Sequence, residues 1–132
     1  MRRILMTQNN LEQLLTQWEG TYKKGLLSFW LLLLLSQREA YPYEMKVAIE
    51  ELSQNSISAD ENSIYRALKR LAQSGIVDSE VQPSGSGPNR RYFFLTHLGQ
   101  ALLTRFVSRN ILIFQHPVVA DLIQKTISSE EQ

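Results

Sequence analysis

The chain has 132 residues, 14 Lys and Arg against 13 Asp and Glu, and a formal net charge of +1. That length suits one compact unit with helical extensions, and the near-balance of charge excludes attraction to a polyanion by overall charge, leaving only local clustering. No cysteine is present, which excludes a disulfide framework, a thiol nucleophile and a cysteine zinc site.

The first residues, "MRRILMTQNN", carry two arginines with no apolar run behind them, so they are not read as a signal peptide. Lack of cysteine fits the cytoplasm. The segment 7–22 reads as an amphipathic helix, with Leu11, Leu14, Leu15, Trp18 and Tyr22 on one stripe. "GLLSFWLLLLLS", residues 25–36, is apolar nearly all the way round. It is roughly half the length of a membrane span and is flanked by Lys23, Lys24, Arg38 and Glu39. It is therefore read as a helix buried on several sides, with no membrane partner.

Pro42 suits the first turn of a third helix over 41–52. After the polar connector "SQNSIS", Ser58 and Glu61 have the spacing of a capping box. The helix that follows is expected over 59–74, with Gly75 as its C-cap. "IVDSEVQ" and "RRYFFLT" read as two strands joined by the turn-rich "PSGSGPN", a hairpin with a flexible tip. Thr96 can cap a helix over 97–115, Pro117 breaks it, and a short helix over 118–127 precedes a frayed tail.

This order of helices followed by a hairpin and further helices is mainly α, with a winged helix-turn-helix at its centre. The expected organisation is an N-terminal helical extension over 1–24, a winged-helix DNA-binding unit over 25–96 and dimerisation helices over 97–132.

No catalytic constellation is present. His97 and His116 are the only histidines and sit in no metal-ligand spacing. Neither a nucleophile elbow nor a phosphate loop nor a dinucleotide fingerprint appears. No enzyme activity, cofactor or metal is expected.

The helix over 59–74 carries the functional signal. On a helical wheel Ile64, Leu68, Leu71 and Gly75 cluster, with Ala67 at the edge. Asn62, Arg66, Lys69 and Gln73 lie opposite, with Arg70 beside them and no acid among them. Arg can fork onto guanine, and Asn or Gln onto adenine; Lys suits a phosphate. The N-terminal half of such a helix does the reading, so Asn62, Ser63 and Arg66 are the candidates for base edges. Tyr65 on the flank suits a phosphate or packing. A solvated basic face is the plain alternative. What favours DNA is the next element, where Asn89, Arg90 and Arg91 lie beside a glycine-rich tip and can reach the backbone or minor groove. Charge protection of an edge strand is the alternative for those arginines.

"LLLLLSQREAYPYEM", "SIYRALKRLAQSGIV" and "GPNRRYFFLTHLG" together resemble the PadR transcriptional regulators, over about residues 25–103. Pro42 stands where that family has glycine, and Ala72 where Glu is common. The resemblance implies a homodimeric winged-helix repressor on a roughly palindromic double-stranded operator. It also implies recognition-helix roles for Tyr65, Arg66 and Lys69, and wing roles for Arg90 and Arg91. Within the family, the N-terminal helix and short C-terminus together resemble regulators that modify a circadian clock. A ligand-released repressor of an efflux or detoxification gene is the other relative, and a winged-helix module that binds protein in place of DNA is the rival class.

The residues themselves also point to a dimer. The helix after Thr96 is apolar on two sides, so it needs two partners. Leu11, Leu15, Trp18, Leu103, Val107, Ile111 and Phe114 are the expected interface. Trp18 and Trp30 could line a pocket for an aromatic or lipophilic effector, although aromatics at helical spacing are more often core, and an effector is not favoured.

Overall fold

The structure, a computed structural model, describes residues 8–131. Thr7 at the expected start of the first helix and Gln132 at the tail lie outside them. The described residues include six α-helices and one hairpin. These are α1 (Gln8–Lys24), α2 (Leu27–Leu35), α3 (Pro42–Leu52), α4 (Glu61–Gln73), β1 (Val77–Ser84), β2 (Gly87–Leu95), α5 (His97–Phe106) and α6 (Pro117–Glu131). Among the described residues no helix is long and apolar enough to cross a membrane.

Helix α2 is the hub. Leu31, Leu32, Leu34 and Leu35 are buried, and Leu26, Leu27, Phe29 and Trp30 are partly so. Around them pack Met45 and Ile49 of α3, Ile64, Ala67 and Leu68 of α4, Val77 and Phe93 of the hairpin, and Leu103 of α5. Each buried leucine contributes about 1.5–3 kcal/mol of transfer free energy.

Between α3 and α4 the chain turns without glycine. Gln54 and Asn55 take positive φ of 52° and 65°. The Ser53 hydroxyl accepts from the Ile57 N–H at 3.0 Å and donates to the Ile57 carbonyl at 3.2 Å. That clasp seats Ile57 in the core and keeps the chain non-helical as far as Asp60. The capping box expected at Ser58 therefore does not form. Asp60 is the N-cap, its Oδ1 accepting from the Ser63 N–H at 2.7 Å, and α4 starts at Glu61. An ionised cap also answers the helix dipole, which a hydroxyl does less well. At the other end Gly75 has φ +77°. The Ile76 N–H reaches Leu71 O and the Gly75 N–H reaches Ala72 O, which is the Schellman arrangement that favours glycine.

The strands pair antiparallel from Val77↔Leu95 to Gln82↔Arg90, shift register by Pro83, and close with Ser84↔Gly87. Only Gly85 and Ser86 remain as the turn, so the tip is narrower than the seven-residue turn segment suggested. A third, one-residue edge lies at Ala40, which bridges Phe93 through hydrogen bonds of 3.1 and 2.8 Å.

Thr96 caps α5 by accepting from the Gly99 N–H at 3.0 Å, and its hydroxyl lies 2.6 Å from Gly75 O. The helix expected to run unbroken over 97–115 ends at Phe106. A π turn at Val107–Ile111 and a 3₁₀ turn at Leu112–Gln115 follow. Side chains compete there for backbone carbonyls: Thr104 bonds Gln100 O, Ser108 bonds Thr104 O, and Asn110 bonds Phe106 O. Helix α6 begins at Pro117 and continues through the segment expected to fray, to Glu131.

The junction between α5 and β1 leaves no room at Gly99. A Cβ there would collide with the Ile76 carbonyl oxygen, itself an acceptor for the Thr96 N–H. Gly99→Ala is expected to cost about 1–3 kcal/mol, the range for overpacking a tight site. Urea unfolding followed by circular dichroism checks this; an unchanged midpoint would show that the junction yields freely.

Candidate nucleic-acid interface

Helix α4 divides as its periodicity requires. Ile64, Ala67 and Leu68 are buried in the core, with Leu71 partly so. Asn62, Tyr65, Arg66, Lys69, Arg70 and Gln73 are exposed, and Ser63 is half-buried. The Ser63 hydroxyl accepts from Arg66 Nη2 at 3.2 Å, so two of the sequence candidates for base contact form one polar unit a single turn from the N-terminus. Asp60 and Glu61 stand at that end, and Asp60 is committed to the cap.

Tyr65 leans from α4 toward the hairpin and meets Phe93 edge-on, with ring centroids 6.5 Å apart. This contact joins the helix to the wing. Strand alternation places Arg91 on the face of Phe93 and Arg90 on the face of Tyr92. Arg91 Nη1 donates to Ser79 Oγ at 3.1 Å. The Arg90 guanidinium lies over the Tyr41 ring, 4.4 Å from its centroid. Asn89 is exposed.

Among the described residues the ion pairs join Lys23 to Glu19, Arg38 to Glu44, Lys46 to Glu50 and Lys125 to Asp121. Arg66, Lys69, Arg70, Arg90 and Arg91 are in none of them. These five cations therefore have no carboxylate partner, on a helix and a hairpin that touch, and all but the half-buried Arg90 are exposed. In water such charges contribute little to stability, but they remain free to meet an anion.

An open cleft of about 430 Å³ adjoins the α4 N-terminus, lined by Lys23, Lys24, Asn55, Ser56, Ser58 and Ser63 among others. Its lysines end α1, and sequence reading took them only as flanks of an apolar helix. Nothing in a linear pattern brings residue 24 beside residue 63. The other residue missed is Tyr41, whose contact with Arg90 spans about fifty positions.

The remaining candidates fall elsewhere. Trp18 is 74% exposed on α1. Trp30 is partly buried, its ring 6.0 Å from that of its neighbour Phe29. Neither lines the apolar cleft of about 170 Å³ enclosed by Phe29, Leu32, Leu71, Leu102, Leu103 and Phe106. Of the residues expected at a dimer interface, Leu11, Leu15 and Phe114 are exposed, Val107 and Ile111 are half-buried, and Leu103 is buried in the protomer's own core. Among the described residues no group of His, Cys, Asp and Glu is arranged to hold a metal ion.

Comparison with known proteins adds three findings. The family described as "Transcriptional regulator PadR-like family" matches residues 31–105, over half of the chain. An uncharacterized protein X of Lysinibacillus sphaericus is 27% identical over 84 residues, covering 64% of this chain and 77% of that protein. Two crystal structures are similar. A PadR-like transcriptional regulator from Bacillus cereus has a TM-score of 0.63 and 28% identity, over 76% of this chain and 94% of that one. Bacillus subtilis PadR in complex with operator DNA has a TM-score of 0.59 and 25% identity, over 64% of this chain. The match spans 48% of that longer protein.

The cap of α4 is testable by pH. Hydrogen bonding from the Ser63 backbone N–H holds the Asp60 carboxyl below its ordinary value. A depressed carboxyl stabilises the fold above the ordinary carboxylate range, and that contribution is lost as the pH falls through the depressed value. Asp60→Ala is therefore expected to melt below the wild type at neutral pH, with the gap closing in acid, while Ser58→Ala melts with the wild type. Thermal scans over a pH series measure both; a gap that is constant with pH would contradict the charged cap.

Proposed function

The chain belongs to the PadR-like family of transcriptional regulators, and on that footing we propose that it is a homodimeric, sequence-specific DNA-binding repressor, acting in the cytoplasm and not an enzyme. The observation that carries this reading is the row of unpaired cations on α4 and the adjoining wing. Helix α4 enters the major groove with its first turns foremost. Asn62, Ser63 and Arg66 meet base edges, Lys69 and Arg70 meet phosphates, and Tyr65 and Gln73 flank the groove. The wing brings Asn89, Arg90 and Arg91 to the neighbouring backbone. Similarity to a PadR in complex with operator DNA supports a DNA partner; a homodimer would read a roughly palindromic double-stranded site, with two copies of α4 about 34–36 Å apart.

The dimer rests on apolar surface outside the winged helix. Leu11, Leu14, Leu15, Trp18 and Tyr22 are exposed on α1, and Val118, Leu122, Ile123 and Ile127 on α6. Such stripes are too extensive for isolated helices in water. Paired across two protomers, they would be covered; a standard interface buries roughly 1,600 Å². The organisation proposed is therefore a DNA-binding unit over 25–96 with dimerising extensions over 1–24 and 97–132.

Among targets, the N-terminal helix favours a clock gene, by its resemblance to the cyanobacterial period-extender protein, Pex. The 170 Å³ apolar cleft beside Leu71 of α4 favours the second reading, an efflux or detoxification gene released by a small lipophilic effector.

Fluorescence anisotropy with the protein's own upstream DNA tests the main reading. Binding is expected to weaken as salt rises. Lys69→Ala should lower affinity for all sequences and reduce the log–log salt slope by about 1. Arg66→Ala should cost about 1–3 kcal/mol and relax sequence preference. Absence of salt-dependent binding in the wild type would support a protein-binding module instead. For the dimer, sedimentation should give two copies for the wild type and one for a variant combining Leu15→Asp with Ile123→Asp; a dimer that survives both would place the interface elsewhere.

A further inference from the structure

Arg90 and Arg91 are adjacent on one strand, yet they are held in different ways. Arg91 spends an N–H on Ser79. Arg90 spends none: among the described residues no hydrogen bond or ion pair takes its guanidinium, whose Cζ instead lies over the Tyr41 ring, 4.4 Å from its centroid. A cation held over a ring makes no hydrogen bond to it, so the N–H donors of Arg90 stay free. It remains able to grip a phosphate with two parallel N–H bonds.

The platform beneath Arg90 is fixed from several directions. Tyr41 is the residue immediately before α3, and its backbone N–H faces a Glu44 carboxylate oxygen at 3.4 Å. Tyr92 meets the Tyr41 ring edge-on, with centroids 5.3 Å apart and planes at 78°. The preceding residue, Ala40, is bridged to Phe93. Gln82, the cross-strand partner of Arg90, donates to Glu39 at 2.9 Å. Residues 39–41 thus strap the wing to the start of α3, and the one side chain of that strap in contact with a wing cation is Tyr41.

We infer that Tyr41 is a positioning residue for DNA binding, which holds the Arg90 guanidinium beside the wing with its N–H donors free for a backbone phosphate. This rests on the DNA-binding reading above. Glu39 and Glu80 both accept from Gln82, and Glu44 pairs with Arg38; none of the three forms an ion pair with Arg90, so the ring and not a carboxylate contacts the cation. A neutral platform leaves the full positive charge of Arg90 for the phosphate, where a carboxylate partner would cancel it.

A double-mutant cycle tests the inference by anisotropy with the same DNA. Arg90→Ala should weaken binding and reduce the salt slope by about 1. Tyr41→Leu should weaken binding about two- to fivefold, the equivalent of an exposed cation–π contact, and Tyr41→Phe, which keeps the ring face, should bind as the wild type. In the Arg90→Ala background, Tyr41→Leu should add nothing. A loss from Tyr41→Leu that persists without Arg90, including one caused by misfolding, overturns the inference, as does wild-type binding by Tyr41→Leu. If the wild type itself shows no salt-dependent binding, the DNA reading fails first. If Arg90→Ala binds as the wild type, the wing contact fails and the inference with it.

Discussion

Burial of one side of α2, through Leu31, Leu32, Leu34 and Leu35, is the constraint on which the molecule depends. Its four buried leucines touch elements that come before, beside and after the hairpin, and α2 contacts α3, α4, α5 and β2. Helix α3 and α4 are set at their angle because both rest on α2, and the hairpin is oriented because Phe93 enters the same core. The position of each outward side chain on α4 follows from where Ile64 and Leu68 are anchored. A functional surface with few internal bonds of its own can thus be rigid, because the rigidity is supplied from beneath.

Electrostatics on that surface involves a conflict. The start of α4 needs negative charge, since its free N–H groups and dipole are positive there. A helix that presents its first turns to phosphates needs the opposite. Asp60 satisfies the first demand by turning its carboxylate back onto the Ser63 N–H, where its charge is spent on the backbone. Arg66, bonded to the Ser63 hydroxyl, lies one turn further on and leaves the outward approach positive. With a net charge of only +1, the chain achieves polarity by arrangement: Glu44 and Glu50 of α3 pair with Arg38 and Lys46, while α4 and the wing keep their cations unpaired.

Much of this was legible in the sequence wherever the signal was local. The alternation of Ile64, Leu68 and Leu71 with Arg66 and Lys69 marked both faces of α4, Gly75 marked its end, and Thr96 marked the next start. The cap at Asp60 was not legible, because Ser58 and Glu61 offer a valid local pattern and only the burial of Ile57 rules it out. Residues 97–115 carry helical spacing throughout, so the π turn was hidden in side-chain competition for carbonyls. The Ala40 bridge and the Tyr41–Arg90 contact were beyond reach for another reason: both join positions some fifty residues apart, and neither leaves a periodic trace.

The π turn at Val107–Ile111 affects more than the local hydrogen bonding. Each residue of an α-helix advances the side-chain direction by about 100°, so a widened turn rephases everything after it. Val107 still packs against the core, yet Leu112, Ile113 and Phe114 are exposed, and α6 starts after an extended residue, His116. The number of residues between Leu103 and Pro117 therefore works as an angular setting that aims the whole C-terminal arm relative to the winged helix. In this segment length is under tighter constraint than identity: a conservative exchange alters one contact, whereas one residue gained or lost turns every apolar side chain beyond it toward a different quarter.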